Sequence, residues 1–198
     1  MHPDEDDNAA IIAGQAGDRE AFAVLVVRYQ EAAFRAAFLI GRDAALAEDL
    51  AQEGFVRAYR SLGRFRKGEP FRPWLLRIVT NLALNELRGR GRWLAFLARA
   101  GRTPQDDVPG PERALVGGER QRQLWLAINE LPLDDRVVLY LRYFLELPER
   151  EIASVIGKAP GTVKSRHSRA AARLRLVIET RYPDLRPGEA EKGERGDA

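Results

Sequence analysis

The stretch Glu149–Arg175, EREIASVIGKAPGTVKSRHSRAAARLR, decides the fold. It reads as a helix, a tight turn and a second, basic helix. Two helices that cross closely need a small residue at the contact, a glycine in the turn and an apolar anchor beyond it, and Ala153, Gly157 and Val163 stand at those places. Ile152, Val155 and Ile156 give the first helix a buried face. Gly157 takes the positive φ that closes such a turn, and Pro160 opens the next helix where its missing N–H costs nothing. In the second helix Val163, His167, Ala170, Leu174 and Val177 recur at steps of four and three and form one inward stripe. Lys164, Ser165, Ser168 and Arg169 fall on the opposite side. They suit a major groove, since Lys and Arg donate to guanine O6 and N7 while Ser donates or accepts. From Pro160 to Arg181 six Lys/Arg stand against one Glu, a net of +5. A charge run alone more often marks a solvated face; one-sided charge behind a turn of this spacing reads as a duplex-reading element.

A chain of 198 residues, 45% hydrophobic and 31% charged, is a soluble protein of one or two domains with enough chain for real cores. The net charge of +3 is modest but unevenly spread: Met1 to Asp7 holds four acids and no Lys or Arg. Without Cys there is no disulfide, thiolate metal site or cysteine nucleophile, which fits a reducing cytoplasm. The start lacks a signal pattern, and no run approaches the roughly 18 apolar residues of a membrane span. A cytoplasmic protein without membrane insertion is expected.

Nearly every periodic segment has the helical period, so the fold class is all-α. An acidic segment over 1–15, with a short helix from Asn8 to Ala16, precedes a long helix capped by Asp18 and reaching about Ile40; Phe22, Leu25, Val26, Tyr29, Ala33 and Ala36 are its inner stripe. Gly41 and Asp43 mark the next turn and cap, and a helix from about Ala44 to Leu62 turns Leu46, Leu50, Phe55 and Tyr59 inward. Asp49, Gln52 and Glu53 form an acidic and amide patch on its other side. Gly63 to Pro73, GRFRKGEPFRP, is read as a loop. It interleaves Phe65 and Phe71 with Arg64, Arg66, Lys67 and Arg72, the aromatic faces and cations that single-strand binding needs. The bland alternative packs those rings under the loop as core.

A helix from about Pro73 to Leu87 comes next, apolar at Trp74, Leu75, Ile78, Val79 and Leu82 and polar at Arg77, Asn81, Asn85 and Arg88. Phe71 to Arg102 carries seven Arg and one Glu, a second basic surface. Trp93 to Leu97 either extends this helix or anchors the segment after it. Thr103 to Glu119, with three Pro, three Gly and four acids against one Arg, reads as a flexible acidic linker. Two small helical domains, 16–95 and 119–182, are therefore expected on either side of a linker over 96–118, with a disordered tail over 183–198. In the second domain, Leu124, Trp125, Ile128 and Leu131 make one helix face, and Val137 to Phe144 a second helix.

A single-strand loop in one domain and a duplex reader in the other suggest a protein that holds DNA both paired and melted. Four motifs carry a resemblance: LVVRYQ at 25–30, DLAQEGFVRAYRSLGRF at 49–65, PWLLRIVTNLALNELR at 73–88, and LP with EREIASVIGKAPGTVKSR downstream, within 131–166. With all four in this order, the chain resembles the extracytoplasmic-function (group IV) sigma factors of RNA polymerase, with only the second and fourth sigma regions. The resemblance implies partners in core RNA polymerase (the β′ clamp and the β flap), promoter DNA and an anti-sigma factor, and no enzyme, cofactor or metal. It places Asp49, Gln52 and Glu53 on the β′ clamp. It gives Arg64, Phe65, Arg66, Lys67, Phe71, Trp74, Arg77, Asn81 and Arg88 to the melted −10 element. It gives Lys164, Ser165, Arg166, Ser168, Arg169 and Arg173 to the −35 duplex, with Arg150 and Thr162 at its backbone. Two positions depart from the pattern: Asn85 stands where many members carry Asp, and Ser168 is small at a reading position.

Two rival classes differ in what they require. A stand-alone helix-turn-helix regulator would read paired half-sites without polymerase, and the basic aromatic loop counts against it. A nucleic-acid enzyme would need a carboxylate metal cluster or an activated nucleophile. The two histidines do not supply one: His2 is terminal and His167 lies on a packing stripe.

Overall fold

The computed structural model describes residues 3–66, 68–99 and 118–186. Their regular structure is helical throughout: α1 (Pro3–Gln15), α2 (Arg19–Gly41), α3 (Ala44–Ser61), α4 (Phe71–Arg99), α5 (Glu119–Asn129), α6 (Leu133–Leu139), α7 (Glu149–Ile156) and α8 (Pro160–Arg181). Among the described residues, no helix is long and apolar enough to cross a membrane.

Helices α1 to α4 build the first domain. The two expected caps form: the Asp18 carboxylate accepts the N–H groups of Glu20 and Ala21 at 2.9 and 3.0 Å, and Asp43 accepts that of Leu46 at 3.0 Å. α1 begins earlier than the pattern suggested, at Pro3, and packs on α2 with Ile11 and Asp7 buried. A carboxylate is tolerated there because Asp7 accepts from both the Arg28 guanidinium and the Tyr29 hydroxyl. Asp7, the last acid of that start, is thus part of this domain's packing. α4 also exceeds its expected span, running from Phe71 to Arg99 through Trp93–Leu97. Pro73 is tolerated in its first turn, where the N–H groups have no helical acceptor. The expected loop therefore shrinks to 65–70, preceded by a 3-10 turn at Leu62–Arg64. Lys67 lies outside the described residues.

In the second domain α6 passes into a π turn over Tyr140–Phe144, where the Leu145 N–H bonds the Tyr140 carbonyl at 3.2 Å. α7 ends at Gly157 with φ 64°, and Lys158 donates back to the Ala153 carbonyl at 3.0 Å. Ile152, Ala153, Val155 and Val163 are buried where α7 meets α8. The expectation of a disordered tail from Pro183 fails at its start: Pro183–Leu185 forms a 3-10 turn with Leu185 buried against α5 and α8. The rest of that tail, 187–198, and the linker stretch 100–117 lie outside the described residues.

The two domains touch. α7 packs on α4, and the buried side chains form one cluster running from Ile11 to Val163. Arg35 on α2 donates to the Phe144 carbonyl at 2.7 Å and Arg72 on α4 to the Leu145 carbonyl at 2.8 Å, so two first-domain guanidiniums grip the turn after the π segment.

Candidate nucleic-acid interface

The outer face of α8 is built by its inner one. Val163 and Ala170 are fully buried and Leu174 and Val177 partly so, which leaves Thr162, Lys164, Ser165, Ser168 and Arg169 exposed together. His167 sits at the rim of this packing, its Nε2 3.0 Å from the Tyr143 hydroxyl, a packing histidine as its stripe position suggested. Two arginines expected among the base readers are held elsewhere. Arg166 pairs with Asp134 at 2.9 Å and Arg173 pairs with Asp135, whose side chain is only 8% exposed. Both acids sit in the first turn of α6, where a carboxylate is also favoured by the helix dipole. A buried carboxylate needs its cation, so Arg173 fastens α6 to α8 through Asp135; Arg166 makes a second tie through the half-exposed Asp134, so in this structure both guanidiniums face α6 carboxylates.

The aromatic loop divides in the same way. Phe65 and Phe71 are 5% and 1% exposed, so neither presents a free face to a base. They belong to an aromatic cluster with Phe22, Tyr29 and Trp74, with Phe65 4.8 Å and Phe71 5.5 Å from the Trp74 ring. The bland alternative is correct for these two rings. Trp74 is only half-buried, and its free side joins Ser61, Arg64, Arg77, Ile78 and Asn81 around a cleft of about 240 Å³. One aromatic wall, two guanidiniums and an amide converge there from α3, the 3-10 turn and α4. Arg66 is exposed near Glu69, at 3.9 Å. Arg88 is half-exposed 3.9 Å from Asp134 of the second domain, and Asn85 is exposed. Arg72, which the residue pattern had offered as a phosphate contact, is occupied by the Leu145 carbonyl.

On α3, Asp49 and Gln52 are exposed, and Glu53 pairs with Arg57 at 2.6 Å. Val56 lies one turn after Gln52 and is 42% exposed, an apolar edge to the patch that sequence reasoning missed because it sits among polar residues. Arg150 and Thr162 are exposed, but Arg150 lines a cleft between the domains with Glu69, Pro70, Trp74, Arg77 and Ser154. Gly157 faces the same way: a Cβ there would lie 3.5 Å from the Arg77 guanidinium. Further along this interface Arg42 donates to the Tyr140 hydroxyl at 3.4 Å. Burial pulls the Arg42 guanidinium below its usual range, with Tyr140 opposing the fall and Arg136 adding to it. Burial likewise pushes the Tyr140 phenol up, against the pull of Arg42 and Arg136.

Comparison with known proteins agrees with this layout. The family described as Sigma-70 region 2 matches residues 25–92, and the family described as Sigma-70 region 4 matches 121–174. The RNA polymerase sigma-H factor of Pseudomonas aeruginosa is 36% identical over 196 residues, covering 90% of this chain and 97% of its own. The ECF RNA polymerase sigma-E factor of Haemophilus influenzae is 35% identical over 189 residues, covering 90% and 96%. Among solved structures, the sigma factor RpoE in complex with the anti-sigma factor NepR from Bartonella quintana superposes with a TM-score of 0.65 at 26% identity, over 81% of this chain and 98% of that one. Two helical domains matching regions 2 and 4, joined by a linker, in a chain this similar to whole relatives, have one reading: the protein belongs to the extracytoplasmic-function sigma factors, the non-enzymatic initiation factors of RNA polymerase.

Proposed function

We propose that this sigma factor, working in the cytoplasm, docks on the β′ clamp of core RNA polymerase through Asp49, Gln52 and Glu53 and on the β flap through its second domain. It reads the −35 duplex with Lys164, Ser165, Ser168 and Arg169, steadied on the backbone by Arg150 and Thr162. It captures an unstacked base of the melted −10 strand in the cleft of Ser61, Arg64, Trp74, Arg77 and Asn81, with Arg66, Lys67 and Arg88 attracting the phosphates. The observation that carries this reading is that cleft, which joins a half-buried indole to two guanidiniums and an exposed amide. Unstacking a base costs on the order of a few kcal/mol, and stacking it on an aromatic ring returns about 1 to 3 kcal/mol. The balance is close, so hydrogen bonds from Asn81 and Arg77 to the correct base decide whether melting proceeds. An anti-sigma partner is proposed from the likeness to RpoE, which was solved with NepR.

The closed domains bear on this mechanism. The −35 and −10 elements lie about 25 base pairs apart by their numbering, roughly 85 Å at 3.4 Å per pair. Arg150 and Trp74 line one cleft, so the domains part before both elements are held. The test is holoenzyme reconstituted from core and the full chain on a supercoiled promoter, probed with permanganate for unpaired thymines and with nuclease for −35 protection. Wild type is expected to give both signals, Asn81→Ala to lose permanganate reactivity while keeping −35 protection, and Asp49→Lys to lose core binding. Unpaired thymines retained by Asn81→Ala combined with Trp74→Ala would overturn the assignment of the cleft.

A further inference from the structure

The cleft mouth is held from an unexpected direction. Gln15, the last residue of α1, donates from its side-chain nitrogen to the carbonyl of Leu62 at 2.9 Å and to that of Phe65 at 3.0 Å. These two carbonyls bracket the 3-10 turn from which the exposed Arg64 lines the cleft beside Ser61. The Leu62 carbonyl also accepts the Phe65 N–H at 2.9 Å. A Gln amide has two N–H donors, and here each faces one carbonyl; turned over, its oxygen would oppose both.

The amide is itself held in place. Asp7, Ile11 and Gln15 are spaced four apart on one face of α1: the Asp7 carboxylate is fastened by Arg28 and Tyr29, and Ile11 is 1% exposed. Gly14 lets α1 lie close to the turn, since a Cβ there would come within 2.9 Å of the Leu62 side chain. Downstream, Phe65 carries the constraint to Trp74 through their ring contact at 4.8 Å.

We propose that Gln15 is a positioning residue for promoter melting: its amide ties α1 to both ends of the Leu62–Phe65 turn and so sets where Arg64 and Trp74 stand around the base-sized cleft. This rests on the reading of that cleft as the −10 site. The amide's two partners both belong to that turn, away from the −35 face of α8 and the carboxylate patch of α3, so the effect is confined to single-strand capture.

The experiment uses holoenzyme with Gln15→Glu, which keeps the shape but removes the donors, and Gln15→Met, which keeps the length without a polar head. The probes are a single-stranded non-template −10 oligonucleotide, a −35 duplex, and a promoter carrying 2-aminopurine at the −10 base, whose fluorescence rises on unstacking. Both variants are expected to bind the single strand about tenfold more weakly and to give a smaller fluorescence rise, with core affinity and −35 binding within about twofold of wild type. Wild-type holoenzyme that ignores the single strand would overturn the cleft reading and the inference with it. Wild type that binds the strand while both variants match it would overturn the inference alone. So would parallel losses of core affinity, −35 binding and thermal stability, since Gln15 would then be a general fold contact.

Discussion

At the scale of the residue, identity does not decide role; the partner does. Arg169 and Arg173 lie one turn apart on α8, are indistinguishable in the sequence and are both exposed, yet Arg173 answers a buried carboxylate. The two are expected to fail differently. Arg169→Ala relaxes discrimination at one −35 base pair by about 1 to 3 kcal/mol, read by competition among promoter variants, and leaves stability unaltered. Arg173→Ala lowers stability by about 1 kcal/mol, less than a fully buried pair because its guanidinium is half-exposed, and leaves base preference alone; urea denaturation checks it. The reverse pattern would mean that α8 is turned differently on its DNA. The face of α8 was legible because its apolar stripe has one period. The ion pairs to Asp134 and Asp135 were not, because they join residues 32 and 38 positions apart and no local pattern encodes them.

At the scale of the element, the loop between α3 and α4 makes the same point about aromatics. A Phe next to Arg suits stacking on a base and suits a core equally well, and only the neighbours supplied by α2 and α4 decide. Phe65 and Phe71 fill the domain beneath the turn, so Phe71→Ala is expected to cost about 3 to 5 kcal/mol in urea unfolding of the first domain. A ring held ready for DNA would leave stability unaltered and weaken only strand binding. The helices themselves were largely legible: Asp18 and Asp43 cap where a carboxylate precedes an apolar period, and Gly157 takes the left-handed turn. The limits of α1 and α4 were not. An acidic start argues against burial until Arg28 and Tyr29 are seen to satisfy Asp7. A Pro in third position looks like a loop until it falls in a helix's first turn. Gln15 left no signal because its partners are backbone carbonyls 47 and 50 residues away.

At the scale of the whole molecule, the domains are closed on each other and the proposed function requires them apart. The 18 residues from 100 to 117 reach at most about 60 Å when extended, which with the domains' own width is enough to span both promoter elements. Beside the α4–α7 packing, polar contacts hold the domains closed: Arg35 and Arg72 on two carbonyls, and Arg42 on Tyr140. Dyes on the two domains should therefore report a short distance in the free chain, lengthened by Arg35→Ala with Arg72→Ala and by core polymerase; an equally short distance with core bound would refute opening. Tyr140 adds a pH limit. Burial raises its pKa above the usual 10.0 although Arg42 pulls it down, so its contribution to folding is complete below pH 10.0 and is lost as pH rises through the raised value. Tyr140→Phe should abolish that alkaline loss of stability, read by urea denaturation across the alkaline range. The most direct test of the central claim is run-off transcription from a genomic promoter library with core polymerase alone and with core plus this chain. New, discrete start sites sharing −35 and −10 sequences are predicted. No added starts, with tight duplex binding by the chain alone, would contradict the account.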